Sequence, residues 1–370
     1  MKTKAAVLRE LGNDFEIAEM DLDPPKTGEV LMRWVAAGLC HSDEHLQTGD
    51  IPVRYPIVGG HEGAGIVEEV GTGVTRLKPG DHVVGSFLPV CGKCRFCARG
   101  MTNLCDLGRL LLDNSLPDGT YRYHEGSTDF GQMCLLGTFS QYAVFSEAST
   151  VKVDDDLAFD VAALVGCGVP TGFGTAVNAG EVRPGDTTVV YGVGGVGINS
   201  IQGAAHAGAR CVIAVDPVAF KRETALKLGA THAAASAEEA AELVLELTEG
   251  VGADQALITM GVVTEEVVTA AFDAIRKRGI VVITGLANPA KQTVHISGSL
   301  LTLFEKRIQG ALFGSSNPFD DIPRILGLYK AGKIKLDELI TTRYTLDQVN
   351  QGYEDMMAGR NIRGVIIHEH

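Results

Sequence analysis

The chain has 370 residues, enough at roughly 150 residues per domain for two or three domains, each with a core of its own. Its 32 basic and 46 acidic side chains leave a formal charge of -14, and 45% hydrophobic with 21% charged content is ordinary globular composition. Disorder, collagen and the charge balance of a nucleic-acid binder are excluded, and a small-molecule partner is expected. An acidic surface repels phosphate, so a bound nucleotide needs backbone amides and single basic side chains to hold it.

In chain order, MKTKAAVLRELGNDFE scatters its charges and has no apolar run long enough for a secretory core, which predicts a cytoplasmic protein. Up to about residue 160 the chain is rich in Gly, Pro and β-branched runs such as EVLMRWVAAG, GAGIVEEVG and GDHVVGSF, and a β-rich domain is expected. Two windows, Val161 to Gly180 and Thr187 to Ala209, lack Asp, Glu, Lys and Arg for about a membrane's width. Glycines break both, and Pro170, Asn178, Asn199, Gln202 and His206 sit inside them, so they predict buried structure and no membrane partner.

From Thr187 short apolar runs alternate with helix-length segments: TTVVY, Gly195 to Gly208, CVIAVD, then Ala219 to Leu228. A helix from Ala237 to about Thr248 is announced by Ser236 with Glu239 three residues on. DQALIT follows as a strand. Val267, Val268, Ala271, Phe272 and Ile275 predict a helix between Thr264 and Arg278, closed by Gly279, and GIVVITG resumes the strands. With IQGALFG near Ile308 this predicts about six strands in a parallel sheet with helices on both faces. Amphipathic pieces at Ile322 to Lys330 and Leu346 to Ala358 precede RGVIIHEH, a strand expected to return to the first domain.

Eight cysteines in a reducing compartment point to metal before disulfides. Cys91, Cys94, Cys97 and Cys105 form CxxCxxCx7C, a spacing that lets four thiolates converge on one tetrahedral ion. Zinc fits four sulfurs with no open position, which predicts a structural role; a rubredoxin-like iron or an iron–sulfur cluster is the rival reading. In YGVGGVG, Gly192, Gly194 and Gly197 make GxGxxG between a strand and a helix, with Val196 among them and Asp216 closing the next strand. That context supplies a tight turn, close backbone approach to a pyrophosphate, a helix N-terminus and an acid for the ribose; a glycine-rich packing turn is the alternative. Asp216 favours NAD over NADP. Lys221 is either a ribose contact or a solvated helix lysine.

Taken singly, GLCHSDEH with Cys40, His41, Ser42, Asp43 and His45, GGHEGAG with His61 and Glu62, and Cys167 in GCGVPTGFG are ambiguous. Histidines at i, i+4 suggest a metal pair as readily as ordinary hydrogen bonding, and Cys167 alone reads as a small buried hydrophobe. Joined, these segments resemble the zinc-dependent medium-chain alcohol dehydrogenases over nearly the whole chain, through to NIRGVI.

The resemblance implies an α/β fold: a GroES-like β-rich catalytic domain, residues 1–168 with a structural-zinc lobe at about 91–105, a Rossmann doubly wound parallel sheet domain, residues 169–312, and a return segment, residues 313–370, completing the first, with the site in the cleft between them. It makes Cys40, His61 and Cys167 the catalytic zinc ligands, a set known from alcohol dehydrogenases that leaves the fourth position open. Glu62 would lie beside the zinc and Asp43 would orient His61. Hydride leaves a carbinol carbon readily only as the oxygen loses its proton, which zinc promotes. The proton would exit through Ser42, the nicotinamide ribose hydroxyl and His45. His41 and Arg363 would face the NAD pyrophosphate, Gly285, Leu286 and Ala287 would line the nicotinamide, and Ile51 and Phe87 would give an apolar substrate pocket. Cys134 and Cys211 match no ligand position and read as core residues.

Within this family, members that oxidise the glutathione adduct of formaldehyde carry an acidic residue where Ile51 stands and an arginine that Arg109 matches. FGQMCLLGTFSQY and GCGVPTGFG are instead similar to the actinobacterial nicotinoprotein branch, which holds NAD tightly and passes electrons to an external acceptor. The leading expectation is an alcohol–aldehyde oxidoreductase with NAD and two zinc ions per chain, in a homo-oligomer, dimer or tetramer. Oxidation of an S-hydroxymethyl thiol is the second reading, and a non-catalytic NAD-binding sensor or structural protein the third.

Overall fold

A computed structural model describes residues 1–286 and 294–370. The chain divides into two compact units, one of Met1–Cys167, Asn317–Lys330 and Leu336–His370, the other of Gly168–Ser316 and Ala331–Lys335.

The first unit begins with ten strands: β1 (Lys2–Leu8), β2 (Glu16–Leu22), β3 (Glu29–Gly38), β4 (Ile57–Val58), β5 (Glu62–Val70), β6 (His82–Gly85), β7 (Tyr123–Glu125), β8 (Thr128–Gln132), β9 (Tyr142–Ser146) and β10 (Thr150–Lys152). Two helices interrupt or follow them, α1 (His41–Thr48) and α2 (Phe159–Leu164). Strands β1-β2-β7-β8-β4 close a small barrel. In β3 the side chains along MRWV alternate between buried and half-buried, as a pleated strand with one covered face requires, and Trp34 stacks on Phe145 with ring centroids 5.2 Å apart.

In the second unit come α3 (Gly168–Gly174), β11 (Thr187–Tyr191), α4 (Gly197–His206), β12 (Cys211–Val215), α5 (Ala219–Lys227), β13 (His232–Ala234), α6 (Ala237–Leu247), β14 (Ala253–Ile258), α7 (Glu265–Ala274), β15 (Ile275–Ile283), α8 (Gly298–Leu303) and β16 (Arg307–Gly310). The six strands form one sheet in the order β13-β12-β11-β14-β15-β16, every neighbouring pair parallel. Every residue of β11 and β12 is buried, the mark of a sheet covered on both faces. The Ser236 hydroxyl accepts from Glu239 N at 3.3 Å and starts α6, while Glu239 reaches back to Ala235 N at 2.7 Å.

Helix α7 is shorter than its apolar period predicts. Ile275 leaves the helix with φ -83° and ψ 147°, pairs with Ala253 of β14 and enters the sheet core, so β15 starts four residues ahead of the expected glycine. The apolar window at 187–209 is the strand–helix pair β11 and α4, and among the described residues no helix is long and apolar enough to cross a membrane.

The chain then returns to the first unit with α9 (Pro318–Lys330), β17 (Ile340–Tyr344), α10 (Val349–Met357) and β18 (Arg363–Ile367). Strand β18 runs antiparallel to β3 in a seven-stranded sheet ordered β10-β6-β5-β3-β18-β17, with β9 also on β3. The return departs from a single cut after residue 312. The chain stays with the second unit through Ser316, and Ala331–Lys335 revisits it because Gln202 of α4 donates to Lys335 O at 2.9 Å and accepts from Lys335 N at 2.7 Å.

Candidate active site and nucleotide-binding elements

Three chain turns in the first unit bring Cys40, His61, Glu62 and Cys167 together. Cys40 occupies the extended position just before α1, His61 stands one residue ahead of β5, and Cys167 follows the end of α2. Gly60, at φ +85°, makes the turn before His61; a Cβ there would collide with Thr138 and Phe139. One donor atom from each of the four residues lies within 4.8 Å of the others.

Electrostatics in this cluster are tightly shared. A hydrogen bond from Cys167 holds the Cys40 thiol well below its ordinary value, and the same contact, with burial, holds Cys167 well above. Burial opposes charge on His61, but the Asp43 carboxylate and the Cys40 and Cys167 sulfurs outweigh it and keep the imidazole well above its usual range. His61 Nδ1 faces Asp43 Oδ2 at 2.9 Å, and Asp43 accepts from Gly60 N at 3.0 Å. Neither ring nitrogen makes a hydrogen bond of good geometry, but Nδ1 is the one held against the Asp43 carboxylate, which leaves the buried Nε2 to a ligand. A buried nitrogen without a partner, beside two sulfurs, is the donor set that fits zinc.

Burial lifts the Glu62 carboxyl to about 7, against the pull of Arg363, whose guanidinium donates to Glu62 and to Leu39 O at 3.2 Å. Arg363 and Glu62 form a buried pair. Ser42 Oγ lies 3.8 Å from Cys40 Sγ. His45 is buried with Nδ1 3.4 Å from Asp50 Oδ2, and the His41 ring crosses it at 4.8 Å. Phe87 meets His61 edge-on at 5.9 Å, and half-buried Ile51 donates its backbone N–H to His45 O at 3.4 Å.

The cysteine lobe is built by short helical turns, Cys97–Arg99 and Thr102–Leu104, with Gly92 and Gly100 at positive φ. The Sγ atoms of Cys91, Cys94, Cys97 and Cys105 lie within 4.8 Å of one another. Backbone N–H groups point at the sulfurs: Cys94 N to Cys91 at 3.3 Å, Cys97 N to Cys94 at 3.4 Å, Cys91 N to Cys105 at 3.3 Å. The backbone N–H groups of Cys97 and Asp106 bring the Cys94 thiol down to about 6, whereas burial and the Cys94 sulfur push Cys97 up to about 12. Four such sulfurs ionise together only around a cation, and the set fits a closed tetrahedral zinc.

In the second unit, Gly192 closes β11 at φ +82°, where only glycine is at ease, and a Cβ on Gly197 would collide with Gly192 O. A Cβ on Gly194 would meet nothing within 4 Å, so the backbone there is open to a ligand. Val196 caps α4. Asp216, at the end of β12, accepts from Val193 N at 3.0 Å and Val218 N at 2.9 Å, which ties the glycine turn to the next strand. Lys221 is half-buried on α5. Gly285 follows β15, and Leu286 bridges to Val262. Ala287 lies outside the described residues.

Two family models match: an alcohol dehydrogenase GroES-like domain over residues 26–155 and a zinc-binding dehydrogenase domain over residues 195–330. The chain is 65% identical to the NDMA-dependent alcohol dehydrogenase of Amycolatopsis methanolica over 368 residues, covering 100% of this chain and 99% of that one. The chain belongs to the zinc-containing alcohol dehydrogenase family. Among solved structures, an alcohol dehydrogenase zinc-binding domain protein from Burkholderia ambifaria matches with a TM-score of 0.94 at 33% identity, covering 100% of both chains. Benzyl alcohol dehydrogenase from Acinetobacter calcoaceticus matches with a TM-score of 0.92, also at 33% identity and 100% of both chains. These likenesses make the protein an oxidoreductase of the medium-chain dehydrogenase class, with a small-molecule alcohol as its kind of substrate.

Some residues of this family member were not singled out by its sequence. Tyr353 is buried, stacks on Phe15 at 5.7 Å and has its phenol pushed well above the ordinary value by burial and by the charges of Asp43 and Cys40. It sits in α10, far along the chain, and no motif marks it. Arg222, next to Lys221, donates to Asp216 O at 2.7 Å and Pro217 O at 2.9 Å, bracing the turn that carries the acid. Cys134, expected in the core, is buried there at φ +52°, close enough to His61 and Asp43 to feel their charges.

Proposed function

We propose that the protein interconverts primary alcohols and aldehydes by hydride transfer to and from NAD, with one catalytic and one structural zinc per chain. The observation that carries the reading is the convergence of Cys40, His61 and Cys167 with the buried His61 Nε2 left without a protein partner. Cys40, His61 and Cys167 hold the catalytic metal, and Cys91, Cys94, Cys97 and Cys105 the structural one. When bound, zinc polarises the alcohol oxygen and NAD accepts the hydride.

The chain's own residues do the rest. Asp43 keeps His61 Nδ1 occupied and its other nitrogen aimed at the metal. Ser42 Oγ would take the alcohol's hydroxyl proton while releasing its own to the nicotinamide ribose hydroxyl, and His45 would carry a proton from there toward solvent. Glu62 balances the buried Arg363 beside the metal ligands. Gly192, Gly194, Val196 and Gly197 cradle the NAD pyrophosphate, with His41 and Arg363 as its cationic partners. Asp216 binds the adenosine ribose, assisted by Lys221, and Gly285, Leu286 and Ala287 line the nicotinamide. Ile51 and Phe87 give the substrate an apolar wall.

The relative named for its dependence on NDMA supports a finer reading, in which NAD stays bound and electrons leave to an external acceptor. The eight free cysteines fit the reducing cytoplasm. Strand β16, at the sheet edge, supports a homo-oligomer, dimer or tetramer, because an uncovered edge offers unpaired backbone groups to a second copy.

The test is mass spectrometry of small molecules released from protein purified without added cofactor, with zinc quantified in the same sample. About one NAD(H) per chain retained through gel filtration supports the tightly held cofactor. Two zincs without NAD support an ordinary dehydrogenase with exchangeable cofactor, to be assayed with alcohols and thiol adducts. Absence of turnover with every alcohol, thiol adduct and acceptor tried would overturn the catalytic reading.

A further inference from the structure

Helix α1 carries His41-Ser42-Asp43-Glu44-His45, and the i, i+3, i+4 spacing sets His41, Glu44 and His45 on one face, one turn apart. Two imidazoles at i, i+4 hold zinc on helices of unrelated proteins, with a glutamate beside them acting as a base; here the geometry also brings the carboxylate among the donors. Their donors converge here. His41 Nε2 is 3.4 Å from Glu44 Oε2, that oxygen is 3.8 Å from His45 Nδ1, and all three donors lie within 4.8 Å of one another. Tetrahedral ligands about 2.1 Å from zinc stand ~3.4 Å apart, so a small contraction would close the set on an ion.

The His45 side chain is 2% exposed and its Nδ1 is buried without a hydrogen bond, directed at the carboxylates of Glu44 and Asp50. A buried nitrogen beside two acids without a hydrogen bond calls for a partner, and a cation shared with the carboxylates would supply one. His41, with 31% of its side chain exposed, gives an ion access from solvent.

We propose that His41, Glu44 and His45 form a further divalent-cation site, separate from the Cys40–His61–Cys167 cluster and from the four-cysteine lobe, that takes a borderline ion of the zinc class. The imidazole-rich set favours zinc over magnesium or calcium, which take oxygen ligands. An ion there engages both imidazoles of the proposed pyrophosphate contact and proton exit, so its loading slows turnover; this consequence alone rests on the proposed function.

The experiment is equilibrium dialysis of the untagged holoprotein against rising zinc, with elemental analysis of the zinc bound beyond that retained after exhaustive dialysis. One additional, exchangeable zinc per chain is expected. Glu44→Gln should weaken it at least tenfold while leaving the retained zinc and basal turnover unchanged, and His41→Gln should weaken it as much, read by metal content alone. Zinc inhibition of turnover should be relieved in Glu44→Gln in proportion. No additional zinc in the wild-type protein, or an additional zinc unchanged in both variants, would overturn the site. Failure of the dehydrogenase reading would show itself separately, as missing retained zinc or missing turnover.

Discussion

Asp43 Oδ2 stands 2.9 Å from His61 Nδ1, and both side chains are buried. The carboxylate leaves the imidazole one usable nitrogen, so the proposed metal site depends on a residue that never touches the ion. Asp43→Asn preserves the shape and removes the charge. Zinc affinity at the Cys40–His61–Cys167 site is expected to fall by about 10- to 100-fold. Chelator-challenged zinc release reads this directly. The four-cysteine zinc serves as internal control, and a variant that keeps both ions as tightly as the parent would remove Asp43 from this role.

The buried Glu62–Arg363 pair makes a different prediction. Glu62→Gln leaves a buried guanidinium facing a neutral amide, and losing one partner of such a pair costs about 3–5 kcal/mol. The urea midpoint should drop accordingly. Glu62→Gln combined with Arg363→Met should recover much of the loss, because the stranded charge is gone. Additive losses in the double variant would show that the pair is not coupled.

Asp216→Ala tests the nucleotide side. The carboxylate holds Val193 N and Val218 N as well as being placed for a ribose. The variant should raise the KM for NAD and narrow the preference for NAD over NADP, with a stability loss of about 1–3 kcal/mol from two stranded amides. An unchanged cofactor preference would defeat the ribose assignment even if stability fell.

A fourth prediction concerns acid stability. Burial raises the Asp118 carboxyl, yet hydrogen bonds from Arg122 and Thr120 outweigh it and hold the group well below the usual carboxylate range. Its folded pKa lies below the unfolded value of about 3.9, so its contribution is fully present above that value, begins to fade as pH falls past it, and is lost as pH falls on through the lower folded pKa. Asp118→Asn should therefore be less stable than the parent at pH 6, with the gap closing below about pH 4 in urea titrations. A gap that stays constant to pH 3 would show that Asp118 is not responsible.

Legibility in the sequence followed the range of the physical cause. Strands β11 and β12 were readable because a sheet covered on both faces demands unbroken apolar runs, and α6 because Ser236 and Glu239 act within one turn. The turn at Gly192 and the four-cysteine spacing are local in the same sense. The end of α7 was not readable, since Ile275 continues the helical period and only its pairing with Ala253 draws it into the sheet. Likewise Tyr353 sits behind Asp43 through packing of α10, and the departure of Ala331–Lys335 rests on one glutamine of α4. Cys40, His61 and Cys167 were ambiguous alone because their meaning lies in a convergence no short window contains.

The order in which a ribosome delivers this chain sets when each unit can fold. The second unit is nearly contiguous, so its parallel sheet is complete once Gly310 has emerged. The first unit waits, because β3 lacks its β18 neighbour, and Leu39 O its guanidinium donor, until the chain has run 324 residues further. Nascent chains stopped short of Arg363 would carry a finished nucleotide sheet beside an open-edged β domain, with Glu62 buried and uncompensated. Quality control during synthesis would therefore act on the β domain, and pulse proteolysis of stalled chains would find the second unit protected first.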